Sequence, residues 1–247
     1  MTLANRMLTL LSRRASGERD PYFSNVVALL HFDGANNSTT FTDQTGKVWT
    51  RGGNSLPVIS TAQSVFGGAS GLFTGVNVTG SSYLTSPSST DFNFGTGAFT
   101  IEGRVRPTSV TALNCGYFSR PNADASHSSP VLIYQNSDSL LLYASSTGTS
   151  WDVANAVVIG TLSLNTWASW AVTRSGNTFR TFFNGVQAST FTSAASLMAD
   201  SGNAVVGAHY ETNGNSVQGY MEEMRITKGV ARYTGNYTIA TSAFPNS

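Results

Sequence analysis

Hydrophobic and polar residues alternate along most of the chain after residue 21, with the period of two that indicates half-buried β-strands. Residues 98–107 show the pattern most clearly, because Phe99, Ile101 and Val105 fall on one face of the expected strand. The opposite face is polar and carries Thr100, Glu102, Arg104 and Arg106. Further strands are predicted at residues 26–32, 70–75, 81–86, 131–135, 139–144, 156–162, 166–174, 178–187, 203–210 and 217–227. About a dozen such strands predict an all-β sandwich or barrel.

Short loops between the strands predict two of the pairings. Residues 131–135 and 139–144 are separated by three polar residues, which is typical of a β-hairpin. Residues 70–75 and 81–86 flank a loop that contains Gly and Asn, and they are also predicted to pair with each other.

The composition agrees with an all-β architecture and argues against nucleic-acid binding, disulfides and cysteine-based zinc sites. Charged residues make up 11% of the 247 residues, and the 24 glycines suit a chain of short strands and turns. The hydrophobic share of 40% is enough to fill a core. A net charge of +1 gives no electrostatic reason to expect a nucleic acid as partner. Cys115 is the only cysteine, so no disulfide and no cysteine-based zinc site can form within the chain.

The first twenty residues, MTLANRMLTLLSRRASGERD, differ from the rest. They carry four Arg against one Glu and one Asp, a net charge of +2, whereas residues 21–247 carry −1, with 10 basic against 11 acidic residues. Apolar residues recur at helical spacing with arginines on the other side; they are Leu3, Met7, Leu10 and Leu11, opposed by Arg6, Arg13 and Arg14. The short apolar run fits neither a signal peptide nor a membrane span, so no membrane insertion is expected. Two interpretations remain: a frayed tail, or a helical segment that docks on a larger assembly.

No arrangement of side chains indicates catalysis. Glu222 and Glu223 are adjacent, so regular strand geometry would place them on opposite faces, where they could not flank one glycosidic bond. The histidines are scattered along the chain, at His31, His127 and His209. His31 lies in an apolar segment and is interpreted as a hydrogen-bonded core residue rather than a base. The chain is therefore predicted not to be an enzyme.

Two segments resemble a known family. Residues 164–187, LNTWASWAVTRSGNTFRTFFNGVQ, resemble the core of concanavalin A-like, laminin-G-like jelly rolls, and residues 219–227, GYMEEMRIT, are similar to the closing strand of that family. The resemblance implies an antiparallel β-sandwich, formed here by residues 22–247, with residues 1–21 as a short N-terminal extension that could be helical.

Four further segments together resemble the lectin-like modules of tailed-phage virion proteins. They are residues 20–43, 60–75, 89–102 and 225–238. This resemblance implies a non-enzymatic virion structural protein, a capsid decoration or tail- or fibre-associated protein made in the host cytoplasm. It would be held to other phage structural proteins by residues 1–20 and would form homo-oligomers on the particle. The alternative is a glycan-binding adhesin that contacts host-surface or environmental sugars.

Lectin-like sites combine an aromatic ring that stacks on a sugar with polar groups that bind its hydroxyls. The residues predicted to do this are Trp151, Tyr117, Tyr143 and Tyr210, with Tyr134 nearby. Trp151 is the strongest candidate, because its neighbours are all small or polar. Packing in the core is the alternative for each of these rings.

The acidic pair near the C-terminus has three interpretations. A buried carboxylate needs a partner, and Arg225 or Arg104 could provide it. Members of the family often bind calcium at the rim of the sandwich, and the oxygen ligands predicted here are Asp33, Asn36, Asp43 and Glu222. Exposure to solvent is the third possibility. No cofactor is expected to be required beyond this one optional calcium ion.

Overall fold

A computed structural model describes residues 19–75, 82–111, 115–121, 129–209 and 215–247. In these ranges the chain forms two short 3-10 helices, Phe23–Asn25 and Thr90–Phe92, and sixteen strands. The strands in chain order are β1 (Val26–Leu30), β2 (Thr50–Gly52), β3 (Val58–Ser60), β4 (Ser70–Thr74), β5 (Tyr83–Ser86), β6 (Phe99–Pro107), β7 (Cys115–Ser119), β8 (Val131–Asn136), β9 (Ser139–Ala144), β10 (Ala154–Thr161), β11 (Ala168–Ser175), β12 (Thr178–Phe183), β13 (Val186–Thr192), β14 (Ala204–Val206), β15 (Asn215–Ser216) and β16 (Gln218–Lys228). None of the helices in these ranges is long and apolar enough to cross a membrane.

The strands form two sheets that pack as a sandwich, which confirms the predicted fold class. Sheet A has the order β13-β12-β11-β6-β16-β4-β3, and β1 also pairs with β16. Sheet B has the order β10-β9-β8-β7-β14-β5-β2, and β15 pairs in parallel with β7. The other neighbours are antiparallel.

The predicted alternation of β6 is confirmed, and it positions the core. Phe99, Ile101 and Val105 are fully buried between the sheets. Gly103 occupies the remaining inward position, and a Cβ atom there would lie 3.1 Å from the ring of Trp170. This central tryptophan is itself fully buried, so the glycine makes room for the largest side chain of the core.

Two predictions about the strands were wrong. Residues 70–75 and 81–86 do not pair with each other, because β4 belongs to sheet A and β5 to sheet B. Residues 178–187 are not one strand, because Asn184 and Gly185 both have positive φ angles, of 49° and 80°, and turn the chain from β12 into β13. Positive φ at both central positions is the requirement of a tight hairpin turn, which Asn-Gly satisfies best.

The acidic pair lies at a β-bulge in β16, which overturns the assignment of its two residues to opposite faces. The pairing of β16 with β6 shifts between Glu222 and Arg225, and Glu223 has a φ of 54°. Met221 and Met224 are three residues apart, so a regular strand would place them on opposite faces. Because of the bulge, both side chains reach the core. Glu222, Glu223 and Arg225 all contact groups outside the core.

The C-terminal segment, residues 229–247, crosses the outer face of sheet A without forming a strand. It is held at several points along the sheet, for example by the Thr173 hydroxyl, which donates to the Tyr233 carbonyl oxygen at 2.9 Å. The rings of Tyr233 and Tyr237 stack with centroids 3.6 Å apart, and both contact Phe182 edge to face. The prediction that these tyrosines pack on the sandwich is confirmed.

A layer of buried charges lies between this segment and sheet A. Arg225 donates to Glu102 at 2.9 Å and to Asp20 at 3.0 Å. Arg232, from the C-terminal segment, donates to the same Asp20 at 2.7 Å, and the Tyr233 hydroxyl donates to Glu102 at 2.7 Å. Each carboxylate therefore has a cationic partner and further donors, as buried charges require.

The end of the chain is held by His31 and Glu223. Nδ1 of His31 lies 2.6 Å from Oε1 of Glu223, and Nε2 lies 2.6 Å from the side-chain oxygen of Asn246. The backbone N–H of Phe244 donates to the second oxygen of Glu223 at 2.6 Å. Burial disfavours the charged imidazole, but its hydrogen bonds to Glu223 and Asn246 outweigh this and raise the pKa of His31. His31 is thus the hydrogen-bonded buried residue that the sequence predicted.

Candidate functional site

Four aromatic side chains form a cluster on the outer face of sheet B, called here the aromatic cluster: Tyr134, Tyr143, Trp151 and His209. The Tyr134 ring lies 5.4 Å from Tyr143 and 5.7 Å from His209, between ring centroids. The Trp151 ring lies 5.2 Å from Tyr143 and 6.4 Å from His209. All four side chains are partly exposed. Ring faces and polar atoms are therefore presented together to solvent.

The hairpin of β8 and β9 explains why two of these rings face outward. Tyr134 pairs with Leu141, and Tyr143 pairs with Leu132. Directly opposed residues share one face of a sheet, so the two tyrosines and two leucines lie together. The alternate positions of both strands belong to the core, at Val131, Ile133, Leu140 and Leu142. The inward positions are apolar except for Gln135, which is buried and accepts the hydroxyl of Tyr117, so the register of the hairpin is fixed and the tyrosines cannot turn inward.

Trp151 is positioned by a loop that its neighbour Asp152 holds together. The Asp152 carboxylate accepts the backbone N–H of Ser146 at 2.9 Å and the hydroxyl of Ser145 at 3.2 Å, and the Ser146 hydroxyl also donates to it. Ser145 Oγ in turn accepts the N–H of Gly148 at 2.9 Å. Burial works to raise the pKa of Asp152, but these hydrogen bonds outweigh it and lower the pKa. The loop is thus closed by an ionised side chain adjacent to Trp151.

The structure brings together some of the predicted sugar-stacking residues and separates others. Trp151, Tyr143 and Tyr134 lie in the aromatic cluster. Tyr117 was wrongly assigned, because its ring is fully buried in the core and its hydroxyl donates to Gln135 at 2.7 Å. Burial raises the pKa of this phenol well above its usual range. Tyr210 lies outside the described residues.

His209 is the member of the cluster that sequence reasoning missed. It follows β14, which adjoins β7 in sheet B, so strand order rather than sequence proximity brings it to Tyr134. The only local signal was that His209 comes just after a short apolar strand and directly before an aromatic residue.

The residues predicted as calcium ligands mostly bind protein groups. Asp43 accepts the N–H groups of Leu29 at 3.3 Å and Thr45 at 2.7 Å, and the indole N–H of Trp49 at 2.8 Å. These contacts hold both of its oxygens inside the fold, where it is buried.

Two of the other candidate ligands also accept hydrogen bonds from the protein. Both oxygens of Glu222 accept backbone N–H groups, from Val65 and Phe66 at 2.6 Å. Asn36 accepts the N–H of Thr61 at 3.2 Å, while Asp33 is exposed. Within the described ranges no three His, Cys, Asp or Glu side chains are grouped so as to hold a metal ion. The optional calcium ion stays an untested prediction, and the N–H donors already bound to Asp43 and Glu222 argue against it.

Although the bulge brings Glu222 and Glu223 to the same side of sheet A, they do not form an open catalytic pair. Each residue is only 1% exposed. Their oxygens accept hydrogen bonds from three backbone N–H groups, and Glu223 also binds His31. Burial raises the pKa of Glu222 to about 7, against the opposing effect of its two N–H donors. The virion-docking residues and His127 lie outside the described residues; the docking residues are Leu3, Arg6, Met7, Leu10, Leu11, Arg13 and Arg14.

Solved structures of several binding domains share this fold. Domain 4 of AbnA, a GH43 extracellular arabinanase from Geobacillus stearothermophilus solved in complex with arabinotriose, matches with a TM-score of 0.59 and 16% identity, over 83% of this chain and 93% of that one. The binding domain of Paraclostridial Mosquitocidal Protein 1 matches with a TM-score of 0.60 and 12% identity, over 85% of this chain. The binding domain of botulinum neurotoxin DC in complex with SialylT matches with a TM-score of 0.56 and 13% identity, again over 85% of this chain. The present chain spans 50% of each of these two toxin chains.

At such identities these similarities establish the fold and no more. No curated protein sequence matches the chain. A family model described as the concanavalin A-like lectin/glucanases superfamily matches residues 78–232, which is more than half of the sequence and includes the aromatic cluster. The two-sheet sandwich of the structure is the architecture expected of that family. The chain therefore belongs to the concanavalin A-like lectin/glucanase superfamily.

Proposed function

We propose that this chain is a non-catalytic carbohydrate-binding module whose ligand rests on the aromatic cluster of sheet B. The observation that carries the proposal is that Trp151, Tyr143, Tyr134 and His209 converge on one outer face and remain partly exposed. Large aromatic side chains that remain at the surface add little to fold stability and often mark binding sites. The C–H face of a sugar ring fits the electron-rich face of such rings, while the tyrosine hydroxyls and the indole N–H can bind sugar hydroxyls.

The comparisons support a binding role. The structures with similar folds include a domain solved with arabinotriose and a toxin binding domain solved with SialylT. A binding role also accords with the buried state of the acidic pair, which leaves Glu222 and Glu223 closed to a substrate.

The test of this function is a comparison of Trp151→Ala with the intact chain. Labelled protein is first screened on a glycan array, and the strongest ligand is then titrated by calorimetry. We expect Trp151→Ala to lower the affinity at least tenfold, because a central aromatic anchor dominates small binding sites. Tyr220→Ala is the matched control, since Tyr220 is also partly exposed but lies on sheet A. Equal losses in both variants, or binding that survives Trp151→Ala, would contradict the site.

We also propose that the module is displayed on a phage virion, as a capsid decoration or tail-associated protein held by residues 1–20 and present in several copies. What supports this is the resemblance of four separated segments to virion lectin-like modules, together with the basic, amphipathic pattern of the N-terminal residues. Several copies would strengthen a weak glycan site through avidity.

Removing residues 1–20 separates the two roles. We expect the truncated protein to lose capsid or tail proteins from a pull-down out of phage-infected lysate and to keep its glycan affinity. Asp20 binds Arg225 and Arg232, so a second truncation that ends before Arg19 keeps this buried contact intact. Normal association of this shorter truncation with particles would overturn the docking proposal and leave the glycan proposal untouched.

A further inference from the structure

The segments that build the aromatic cluster contain no Lys or Arg, and the titratable base among the four cluster residues is the imidazole of His209. Residues 121–173 include three of the four cluster residues and hold no Lys or Arg, and residues 181–224, which include His209, hold none either. Strands β8, β9 and β10 and the loop that carries Trp151 all fall within the first stretch. A chain with 14 Lys and Arg therefore places none of them in the segments from which the site is assembled.

Three described cations on or beside sheet B, Arg120, Arg51 and Lys47, are each bound to other protein groups. Arg120 is 1% exposed, and its guanidinium donates to the Gly202 carbonyl and to Asn93, Ser88 and Asp200. Arg51 lies on β2, four strands from the β8 strand of Tyr134 and two from the β14 strand that precedes His209, and its guanidinium donates to the Pro57 carbonyl at 3.2 Å. Lys47 is paired with Asp91 at 2.5 Å.

Most of the remaining described cations belong to sheet A, on the other side of the sandwich. They lie on β6, β11, β12 and β16, at Arg104, Arg106, Arg174, Arg180, Arg225 and Lys228. Since two packed sheets are about 10 Å apart and the cluster lies on the outer face of sheet B, these groups cannot form ion pairs with a bound ligand.

The charges that do lie beside the cluster are negative. Asp152 follows Trp151 directly, and the donors around its carboxylate keep it ionised. Asp138 is exposed in the turn between β8 and β9, a few residues from Tyr134. The faces of the aromatic rings are themselves electron-rich and attract C–H groups or cations rather than anions. An anionic ligand would lose its hydration at this surface and would gain no ion pair with a Lys or Arg in return.

We infer that the ligand of the aromatic cluster is a neutral glycan, and that sugars carrying carboxylate, sulfate or phosphate groups at the stacked unit are rejected. This inference rests on the proposed carbohydrate-binding function and specifies its substrate class. The specificity arises because the site holds no Lys or Arg and has the carboxylate of Asp152 directly beside Trp151, rather than from any shape that excludes a larger sugar.

The experiment compares oligosaccharides that differ only in charge. Oligogalacturonate and its full methyl ester are one such pair, and a sialylated oligosaccharide and its desialylated form are another. Each pair is titrated against the full chain at low and at high salt. We expect the neutral member of any pair that binds to have at least tenfold higher affinity, and we expect this preference to shrink as salt screens the carboxylates.

A designed cation supplies the second arm. Asn136 is exposed and lies two residues after Tyr134 on β8, so both side chains point to the same outer face. We expect Asn136→Lys to improve binding of the charged member severalfold in a salt-dependent way and to leave the neutral member nearly unchanged. Thr74→Lys is the matched control, because Thr74 is an exposed strand residue of sheet A.

The outcomes distinguish a failure of the neutral-glycan inference from a failure of the proposed carbohydrate-binding function. Preference for the charged member in the intact chain, lost in Trp151→Ala, would overturn the neutral class while supporting the glycan site. Binding of neither member of any pair, in a chain that is folded by circular dichroism, would overturn the proposed function itself. Equal affinity for both members at low salt would also contradict the inference.

Discussion

The outer faces of the two sheets differ in the chemistry of their side chains and in how far these are exposed, although both faces are built from β-strands. Sheet A carries charged side chains outward, among them Glu102, Arg104 and Arg225, and all of these are buried beneath the C-terminal segment. Sheet B carries aromatic side chains outward, and its cluster remains partly exposed. The outer face of sheet A has the more polar residues and is covered, so it is called here the closed face. The outer face of sheet B has the more apolar residues and is accessible to solvent, so it is called the open face.

This inversion has a physical reason. Charged groups can be buried only when each has a partner, and a segment that supplies carbonyls, N–H groups and Arg232 provides such partners. Aromatic rings need no partner to stay at a surface, although their exposure does not favour folding. Sheet A therefore holds the C-terminal segment, whereas the aromatic cluster of sheet B stays accessible to solvent.

The largest expected effect comes from breaking the charged layer of sheet A. Arg225→Met would leave Glu102 and Asp20 buried without their shared partner, although Arg232 still reaches Asp20. We expect a loss of about 3–5 kcal/mol in the free energy of unfolding, measured by urea denaturation. Glycan affinity of the protein that remains folded should not change.

Arg106→Met is the control for this experiment. Arg106 lies on the same face of β6 but is partly exposed, and it stacks on Tyr220 with 5.8 Å between its guanidinium carbon and the ring centroid. Its loss should cost less than about 1 kcal/mol. Equal effects of the two substitutions would show that the charged layer adds nothing specific to the closed face.

The second effect is a dependence of stability on pH. The folded state raises the pKa of Glu222 from 4.5 to about 7, so unfolding releases a proton and stability falls as the pH rises through this interval. The pKa of His31 is also raised above 6.5, and the stability it contributes is lost as the pH rises through its folded value. Both groups act in the same direction. We expect the free energy of unfolding to fall on the order of 2 kcal/mol between pH 5 and pH 8.5.

Glu222→Gln tests the source of this slope. Its amide oxygen still accepts one of the N–H groups of Val65 and Phe66, but it cannot ionise. The variant should be at least as stable as the intact chain at pH 8.5 and should have a flatter profile. Asp138→Asn, on the open side of the molecule, should leave the profile unchanged. A profile of the same slope in Glu222→Gln would contradict the assignment.

Much of both faces was predictable from local pattern. A strict period of two identified the inward and outward residues of β6, and a three-residue polar turn identified the hairpin that holds Tyr134 and Tyr143. Trp151 stood out because small and polar neighbours leave a large ring without a local apolar surface. These features depend on interactions between residues close together in sequence.

The features that were missed depend on distant residues or on backbone irregularity. The bulge at Glu223 requires a positive φ that a glutamate seldom adopts, and an alternating pattern of apolar and polar residues does not reveal it. Tyr117 looked accessible until strand order placed it between the sheets. His209 joins the cluster only because β14 adjoins β7. Sheet order is set by the whole core, so no short window of sequence contains it.

A smaller effect is expected from Asp152, which holds the loop that carries Trp151 but is not one of the four cluster residues. Asp152→Asn keeps one carbonyl oxygen for the N–H of Ser146 but loses the ionised carboxylate that closes the loop. We expect glycan affinity to fall roughly three- to tenfold, because Trp151 would be held less firmly. The share of the tryptophan fluorescence that Trp151 contributes, obtained by difference from Trp151→Phe because the chain has four tryptophans, should become more accessible to a neutral quencher such as acrylamide, while Asp138→Asn should change neither measurement. Unchanged quenching with lowered affinity would mean that Asp152 touches the ligand itself.

The smallest effect concerns calcium at the rim between the two faces. The oxygens of Asp43 and Glu222 already accept N–H groups from the protein, so an ion would have to displace these donors to gain the six or more oxygens it prefers. We therefore expect the melting temperature in millimolar calcium to lie within about 1 °C of that in EDTA, since a ligand that does not bind the folded state cannot stabilise it. Magnesium at the same concentration controls for ionic strength. A rise of several degrees with calcium alone, abolished by Asp33→Asn, would establish a rim site and show that the closed face opens enough to admit an ion.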